Sequence, residues 1–104
     1  MVKFLKDYAG CEVRLTEERL EHILEHPEMS DMENALEQTL RDPQKVIQSK
    51  SDESAALNYR YYFGTKVGDK WLCVVVKYSD GDAFVLTAYL TDKPKKGEQL
   101  WPLQ

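Results

Sequence analysis

The sequence predicts a single α+β domain in which two N-terminal helices pack on one face of a four-stranded antiparallel sheet. Three observations lead to this fold class. The chain has 104 residues, enough for one hydrophobic core and one domain, residues 1–104. Apolar residues recur at helical spacing over the first part of the chain, and the pattern becomes strand-like from Lys45 onward. The dipeptide Asp80-Gly81, a strong hairpin signal, lies between the two most apolar segments.

The first helix is expected over residues 17–26. Thr16 is a suitable N-cap, and glutamates follow in the first turn, where carboxylates interact favourably with the helix dipole. An apolar stripe at helical spacing comes next, formed by Leu20, Ile23 and Leu24. Pro27 ends the helix, because the residue before a proline is disfavoured in the α region.

The second helix is expected over residues 31–41. Ser30 or Asp31 can cap its first turn, and the stretch Arg41-Asp42-Pro43 ends it. Its buried stripe comprises Met32, Ala35, Leu36, Thr39 and Leu40.

Four strands should follow, near residues 45–49, 57–63, 70–78 and 83–91. These segments are rich in β-branched and aromatic residues, and turn-forming residues separate them. Both residues of Asp80-Gly81 tolerate positive φ, so a two-residue turn is expected there. Residues 100–103 are expected to pack back on the body as a tail.

The hairpin turn sets the expected faces of the sheet. Pairing of Ser79 with Asp82 would place Cys73 opposite Ala88, with both side chains toward the helices. The resulting core comprises Leu20, Ile23, Leu24, Leu36, Leu40, Trp71, Cys73, Val75, Phe84, Leu86 and Ala88. By hydrophobicity, Leu57, Tyr59, Tyr61 and Phe63 join this helix-covered face. A one-residue bulge would exchange the two faces.

Composition and charge narrow the classes of function. The formal net charge of −4 does not favour tight nonspecific binding to nucleic acid, although Lys93, Lys95 and Lys96 form a local basic cluster. Two cysteines, Cys11 and Cys73, without a Cys-x-x-Cys spacing indicate reduced thiols, with a single disulfide as the alternative. No signal peptide or membrane span is evident, so we expect a cytoplasmic protein without a membrane partner.

The sheet surface opposite the helices is predicted to carry a polar patch of Arg60, Tyr62, Thr87 and Tyr89. An arginine can bind a phosphate through two hydrogen bonds, and tyrosines can stack on bases or donate hydrogen bonds. The alternative is structural: the arginine covers exposed rings, and the hydroxyl groups contact only water.

The first helix carries a second candidate group, the pair His22 and His26. Residues four apart project from one side of a helix, and two histidines can serve as acid and base near neutral pH. They can equally be surface residues. The segment also matches the His-x-x-Glu-His pattern of zinc enzymes, but no further acidic ligand stands out, so neither a metal nor a cofactor is expected.

The order of these motifs resembles a known group of proteins. A helix that leads into His26-Pro27-Glu28 precedes a second helix and strands containing Tyr-Arg-Tyr-Tyr, Leu-Cys-Val-Val-Val-Lys and Phe-Val-Leu-Thr-Ala-Tyr-Leu-Thr. Over roughly residues 14–101 the chain resembles small bacterial and phage proteins of the barnase, EndoU, colicin and RelE-like (BECR) nuclease superfamily.

The resemblance implies a nuclease that cleaves RNA without a metal, on the open face of a helix-covered sheet. It implies a helix histidine, His22 or His26, a strand arginine, Arg60, and a last-strand hydroxyl, Thr87 or Tyr89, as catalytic groups. A toxin-like nuclease would also have a neutralising protein partner, such as an antitoxin or immunity protein. The rival hypothesis is a noncatalytic protein-binding module on the same scaffold. The oligomeric state stays open.

Overall fold

The chain folds around one large sheet. The structure is a computed structural model that describes residues 2–103. Over these residues the elements are β1 (Val2–Lys6), β2 (Glu12–Thr16), α1 (Glu17–Leu24), a 3₁₀ turn (Pro27–Met29), α2 (Glu33–Arg41), β3 (Lys45–Gln48), β4 (Ala55–Thr65), β5 (Gly68–Ser79), β6 (Asp82–Thr91) and β7 (Gln99–Trp101).

The strands form a single mixed sheet in the order β1-β2-β6-β5-β4-β3-β7. All neighbours are antiparallel except β2 and β6, which run parallel where Arg14 lies opposite Phe84. The predicted fold class, two N-terminal helices on a four-stranded antiparallel sheet, is therefore wrong. Seven strands are present over residues 2–103, and two of them precede the first helix.

Three short strands account for this error. In β1 only Leu5 is buried, so the alternation typical of a half-buried strand is missing. In β2, Val13 and Leu15 alternate with polar residues, but over only five positions. The three-residue β7 covers the first half of the expected tail and pairs with β3. Strands this short gain their stability from the sheet that receives them, and local sequence shows that poorly.

The helices agree better with the sequence pattern. The Thr16 hydroxyl accepts a 3.1 Å hydrogen bond from the Arg19 backbone N–H, which confirms the expected N-cap of α1. Helix α1 ends at Leu24, and Pro27 opens the 3₁₀ turn instead of continuing the helix. Helix α2 starts at Glu33, after Met32 and not after the expected Ser30 or Asp31.

The hairpin between β5 and β6 combines a confirmed turn with an irregular register. Asp80 (φ 37°) and Gly81 (φ 79°) both adopt positive φ, and Ser79 pairs with Asp82 as expected. The register then shifts: Val76 pairs with Val85, but Val75 pairs with Thr87. Leu86 is the extra residue of a β-bulge, and each later residue of β6 lies one position away from its expected partner.

Strand β5 is buried on both faces, and its residues that were expected to face the helices lie on the opposite face. Its even-numbered residues Leu72, Val74 and Val76 face the helices and pack with Ile23, Leu36 and Leu40. Its odd-numbered residues Cys73 and Val75 lie on the opposite face with Ile47, Leu57 and Tyr59. Because both residue sets are apolar, hydrophobic periodicity could not identify the face that the helices cover.

The predicted core is consequently split. Ile23, Leu36, Leu40 and Ala88 belong to the helix-side core, with Leu20 and Leu24 packed against it. Cys73 and Val75 are buried in the second cluster, and Trp71 packs against that cluster. Phe84 is half-buried, and Leu86 is 37% exposed, so placing them in a helix-covered core was wrong.

Residues 92–98, termed the crossing segment, run from the end of β6 to β7 over the face opposite the helices. The Lys95 backbone N–H donates a 3.1 Å hydrogen bond to the Tyr59 hydroxyl. Gly97 packs so tightly that a Cβ there would lie 2.7 Å from Ile47 Cγ2.

The sheet also curls. Its two edge strands therefore approach each other, and the ring of Tyr8, after β1, lies 5.5 Å from the ring of Trp101 in β7. Neither helix has the length and apolar character needed to span a membrane.

Candidate functional site

The two histidines of the chain lie together on the helix side. The ring centroids of His22 and His26 are 6.2 Å apart, and the rings meet edge to face. Both side chains are exposed. His22 projects from α1, whereas His26 has extended backbone just before the 3₁₀ turn. The expected proximity of the pair is therefore present, although only one member belongs to the regular helix.

The surroundings of His22 are mostly acidic. The Nδ1 atom of His22 lies 3.9 Å from a carboxylate oxygen of Glu25. A surface groove of about 400 Å³ is lined by Thr16, Glu18, Arg19, Glu21, His22 and Glu25. Arg19 supplies the positive charge in this groove. Across residues 2–103, no group of three or more His, Cys, Asp or Glu side chains is arranged to hold a metal ion.

Arg60 lies on the helix side of β4, at the end of α2. Its Nη1 donates a 2.8 Å hydrogen bond to the Asp42 carbonyl and approaches the Asp42 carboxylate at 3.4 Å. Tyr62, two residues further along the same face, bonds through its hydroxyl to α2 at the Ala35 carbonyl and Thr39. Arg60 and Tyr62 therefore fasten β4 to α2.

Thr87 and Tyr89 lie on the opposite face, where they pair with Val75 and Cys73. Tyr89 packs against the second buried cluster, next to Tyr59 and Cys73. Burial raises the pKa of the Tyr89 hydroxyl. It also raises the pKa of the Tyr59 hydroxyl to about 12 and the pKa of the Cys73 thiol to about 11. At neutral pH these groups keep their protons, so they can donate hydrogen bonds but are poor bases or nucleophiles.

The predicted site residues therefore do not share one surface. His22, His26 and Arg60 lie on the helix side, whereas Thr87 and Tyr89 lie on the opposite face, termed the open face. The expectation that Arg60 would line one surface with Thr87 and Tyr89 is not met, because β4 presents its even-numbered residues to the helices. The catalytic roles of these five residues stay predictions.

The open face carries an aromatic row whose residues were expected on the helix-covered face. The Tyr61 ring lies 5.2 Å from Phe63 and 5.3 Å from Trp71, measured between centroids. Trp71 in turn meets Tyr59 at 6.4 Å. Phe63 is 81% exposed. The alternation of aromatic residues along β4 was visible in the sequence, but its face was assigned wrongly.

A cavity of about 350 Å³ lies at the rim of the sheet, between the 3₁₀ turn and the β4–β5 tip. It is lined by Glu28, Val67, Lys70, Leu90, Thr91 and Asp92. Lys66, at the tip, donates a hydrogen bond to the Ser30 hydroxyl, which joins the tip to the segment after His26. The rim is thus a place where the helix side and the open face approach each other.

The chain matches a known family of proteins. The family model PBECR2, described as phage-Barnase-EndoU-ColicinE5/D-RelE like nuclease2, matches residues 2–100. No curated protein and no solved structure matches the chain. The family-level resemblance drawn from the sequence is confirmed, and the match supports a nuclease function in general.

Proposed function

Because the chain belongs to the PBECR2 family of nuclease-like proteins, we propose that it is an endoribonuclease that cleaves RNA by metal-independent acid–base chemistry. In this proposal His22 and His26 act as the acid and the base. The setting is the cytoplasm, where the unpaired thiols of Cys11 and Cys73 would stay reduced. A toxin-like role with a neutralising protein partner is part of the same proposal.

The observation that carries the proposal is the spacing of the two imidazoles. With ring centroids 6.2 Å apart and both rings exposed, each can contact a different oxygen of one phosphodiester group. Histidine is the side chain that most often transfers protons near neutral pH, and the chain has only these two. The open-face hydroxyls of Tyr59 and Tyr89 are too weakly acidic to replace them as bases.

The proposed reaction is a transesterification followed by product release. One imidazole takes the proton of the ribose 2′-hydroxyl, and the 2′-oxygen forms a bond to phosphorus as the bond to the 5′-oxygen breaks. The other imidazole, protonated at the start, gives its proton to the 5′-oxygen. The products are a 2′,3′-cyclic phosphate and a free 5′-hydroxyl. A nearby cation would stabilise the charge that develops on the phosphate oxygens.

Two arginines are candidates for that cation. Arg19 lines the same groove as His22. Arg60, the residue expected from the resemblance, is engaged with Asp42 and would have to exchange that partner for the phosphate. Arg60→Ala would also remove a hydrogen bond from the end of α2, so a loss of about 0.5–1.5 kcal/mol in stability is expected from that variant.

The test is cleavage of labelled RNA in excess EDTA. The products are then analysed for a 2′,3′-cyclic phosphate end and a free 5′-hydroxyl end. His22→Gln and His26→Gln should each lower the rate by about 100- to 10,000-fold. Their melting temperatures should stay near that of the wild type, because both side chains are exposed. Full activity in both histidine variants would contradict the proposed mechanism.

Arg19→Gln and Arg60→Ala, compared in the same assay, would identify the cation. Arg41→Gln is the matched control, because it removes an exposed positive charge from the last residue of α2. A slow Arg19 variant with an active Arg60 variant assigns the cation to the groove beside His22, and the reverse result assigns it to β4. Full activity in both variants would remove Arg19 and Arg60 from the mechanism.

A noncatalytic protein-binding module is the second candidate. The separation of Arg60 from Thr87 and Tyr89 favours it, since the groups expected to form one catalytic surface lie on opposite faces. An inactive member of a nuclease-like family would keep the fold without the chemistry. Failure of the wild-type protein to cleave any RNA, with or without added Mg²⁺, would support this candidate over the endoribonuclease.

A further inference from the structure

We propose that the side chains of His22 and His26 together bind one late transition-metal ion, such as Ni²⁺ or Zn²⁺, and that the bound ion inhibits RNA cleavage. The metal site rests on the two imidazoles and on the charge around them. The inhibition rests on the proposed function, in which the same imidazoles transfer protons. The ion is a reversible inhibitor and takes no part in the reaction.

The two imidazoles are close enough to share one ion. Their ring centroids lie 6.2 Å apart. An ion held at about 2.1 Å by one nitrogen of each ring, in a tetrahedral arrangement, would place the centroids about 5 Å apart. The rings meet edge to face, so they must rotate to direct one nitrogen each at the ion. Both side chains are exposed, so this rotation needs no change in the core.

The donor atoms select the class of ion. Imidazole nitrogen is a common ligand of Zn²⁺, Ni²⁺ and Cu²⁺, whereas Mg²⁺ and Ca²⁺ prefer oxygen ligands. A catalytic zinc site typically has three protein ligands, and over residues 2–103 no third His, Cys, Asp or Glu side chain completes such a group. Water would fill the remaining positions, so the ion should bind with moderate affinity and be removed by EDTA.

The groove beside His22 favours a cation. It is lined by the carboxylates of Glu18, Glu21 and Glu25 and by the single guanidinium of Arg19, so negative charge predominates. A carboxylate oxygen of Glu25 also lies 3.9 Å from Nδ1 of His22. A carboxylate beside one ring nitrogen holds the proton there and leaves the other nitrogen to bind metal, as is usual at metal-bound histidines. Glu25 is thus a positioning residue of this site.

Metal binding would block the proposed chemistry directly. A nitrogen that binds a metal ion cannot accept or release a proton, and the proposed cleavage needs one proton transfer by each ring. The acidic groove would also raise the local concentration of divalent cations beside the site. Cleavage should therefore be fastest when a chelator is present.

The experiment follows Ni²⁺ binding by NMR in a Cys11→Ser background, which removes the exposed thiol as a competing ligand. Because the chain has two histidines, their ring signals can be followed separately, and paramagnetic Ni²⁺ broadens the signals of the rings that bind it. Both should broaden together. In His26→Gln, the His22 signal should need at least about tenfold more Ni²⁺, since even indirect partners of metal ligands change affinity by about 10- to 100-fold.

Glu25→Gln tests the positioning residue. It should lower the affinity for Ni²⁺ and leave the melting temperature unchanged, because the side chain is exposed. Glu53→Gln is the matched control, because it removes another exposed carboxylate from the loop between β3 and β4. Equal affinities of these two variants would overturn the role of Glu25. Unchanged broadening of the His22 signal in His26→Gln would overturn the shared site, because each imidazole would then bind metal independently.

Cleavage of labelled RNA by the Cys11→Ser protein tests the inhibition. Ni²⁺ at about ten times its dissociation constant leaves about a tenth of the sites free, so the rate should fall about tenfold and recover in EDTA. Mg²⁺ at the same concentration should not inhibit. Full cleavage at that Ni²⁺ occupancy would overturn the inhibition. Shared Ni²⁺ binding by a protein that cleaves no RNA in EDTA would refute the proposed function and leave the metal site in place, and cleavage without shared binding would do the opposite.

Discussion

The reversal of the sheet faces can be tested by truncating one leucine on each side. Leu72, in the helix-side core, is 0% exposed, whereas Leu86, at the β-bulge, is 37% exposed. A Leu→Ala change removes about three methylene equivalents, worth about 2.4 kcal/mol when fully buried. At Leu72 the cavity left behind raises the expected loss to about 3–5 kcal/mol. At Leu86 the space opens to solvent, so a loss of about 1 kcal/mol is expected.

Urea denaturation followed by far-UV circular dichroism measures both losses. The two variants should share the wild-type m value, and their midpoints should differ. In thermal unfolding, a gap of about 2 kcal/mol or more corresponds to roughly 8 °C or more for a domain of this size. Equal losses, or a larger loss for Leu86→Ala, would refute the reasoning, because they would return Leu86 to the core.

Three further predictions follow from local contacts. Burial raises the pKa of the Cys73 thiol to about 11, so a thiol reagent at mildly alkaline pH should modify the exposed Cys11 and spare Cys73 until denaturant is added; rapid modification of both in the native protein would contradict this. The hydrogen bond from Lys77 lowers the pKa of Asp52 to about 2. The contribution of this pair to stability should therefore be present above about pH 4 and be lost as the pH falls toward 2. An NMR titration of the carboxyl group should show a higher pKa for Asp52 in the Lys77→Met variant. Gly97→Ala would place a Cβ 2.7 Å from a side chain and 2.9 Å from a backbone oxygen of β3, so a loss of about 1–3 kcal/mol is expected, and a wild-type urea midpoint would count against that packing.

The sequence identified the elements whose signals are local. The Thr16 cap, the proline after α1 and the Asp80-Gly81 turn each satisfy a stereochemical requirement within a few residues, and each occurs where expected. The four predicted strands were also located, since β4, β5 and β6 cover their predicted segments and β3 covers residues 45–48 of the predicted 45–49. Strands β1, β2 and β7 depend on partners far away in sequence, and short windows contain little of that information.

The site was less predictable, because it depends on which side of each strand faces the helices. A strand that is apolar on both sides, such as β5, fits either orientation, and a single bulge residue changes the pairing beyond it. Thr87 and Tyr89 were still placed correctly away from the helices, whereas Arg60 was not. The cluster of Lys93, Lys95 and Lys96 could be identified without knowing the strand register, because the three residues are close together in the sequence.

The distribution of charge bears on how a substrate would be held. The groove beside His22 contains three glutamates and one arginine, so it would repel a phosphate chain and can contribute little affinity for RNA by itself. In the proposed function, most of the affinity for RNA must therefore come from groups outside this groove. An enzyme can use binding energy from parts of a substrate remote from the reacting bond to offset unfavourable interactions at that bond. A net negative charge is therefore compatible with the proposed RNA cleavage, provided that the groups that bind the strand and those that transfer protons lie in different parts of the molecule.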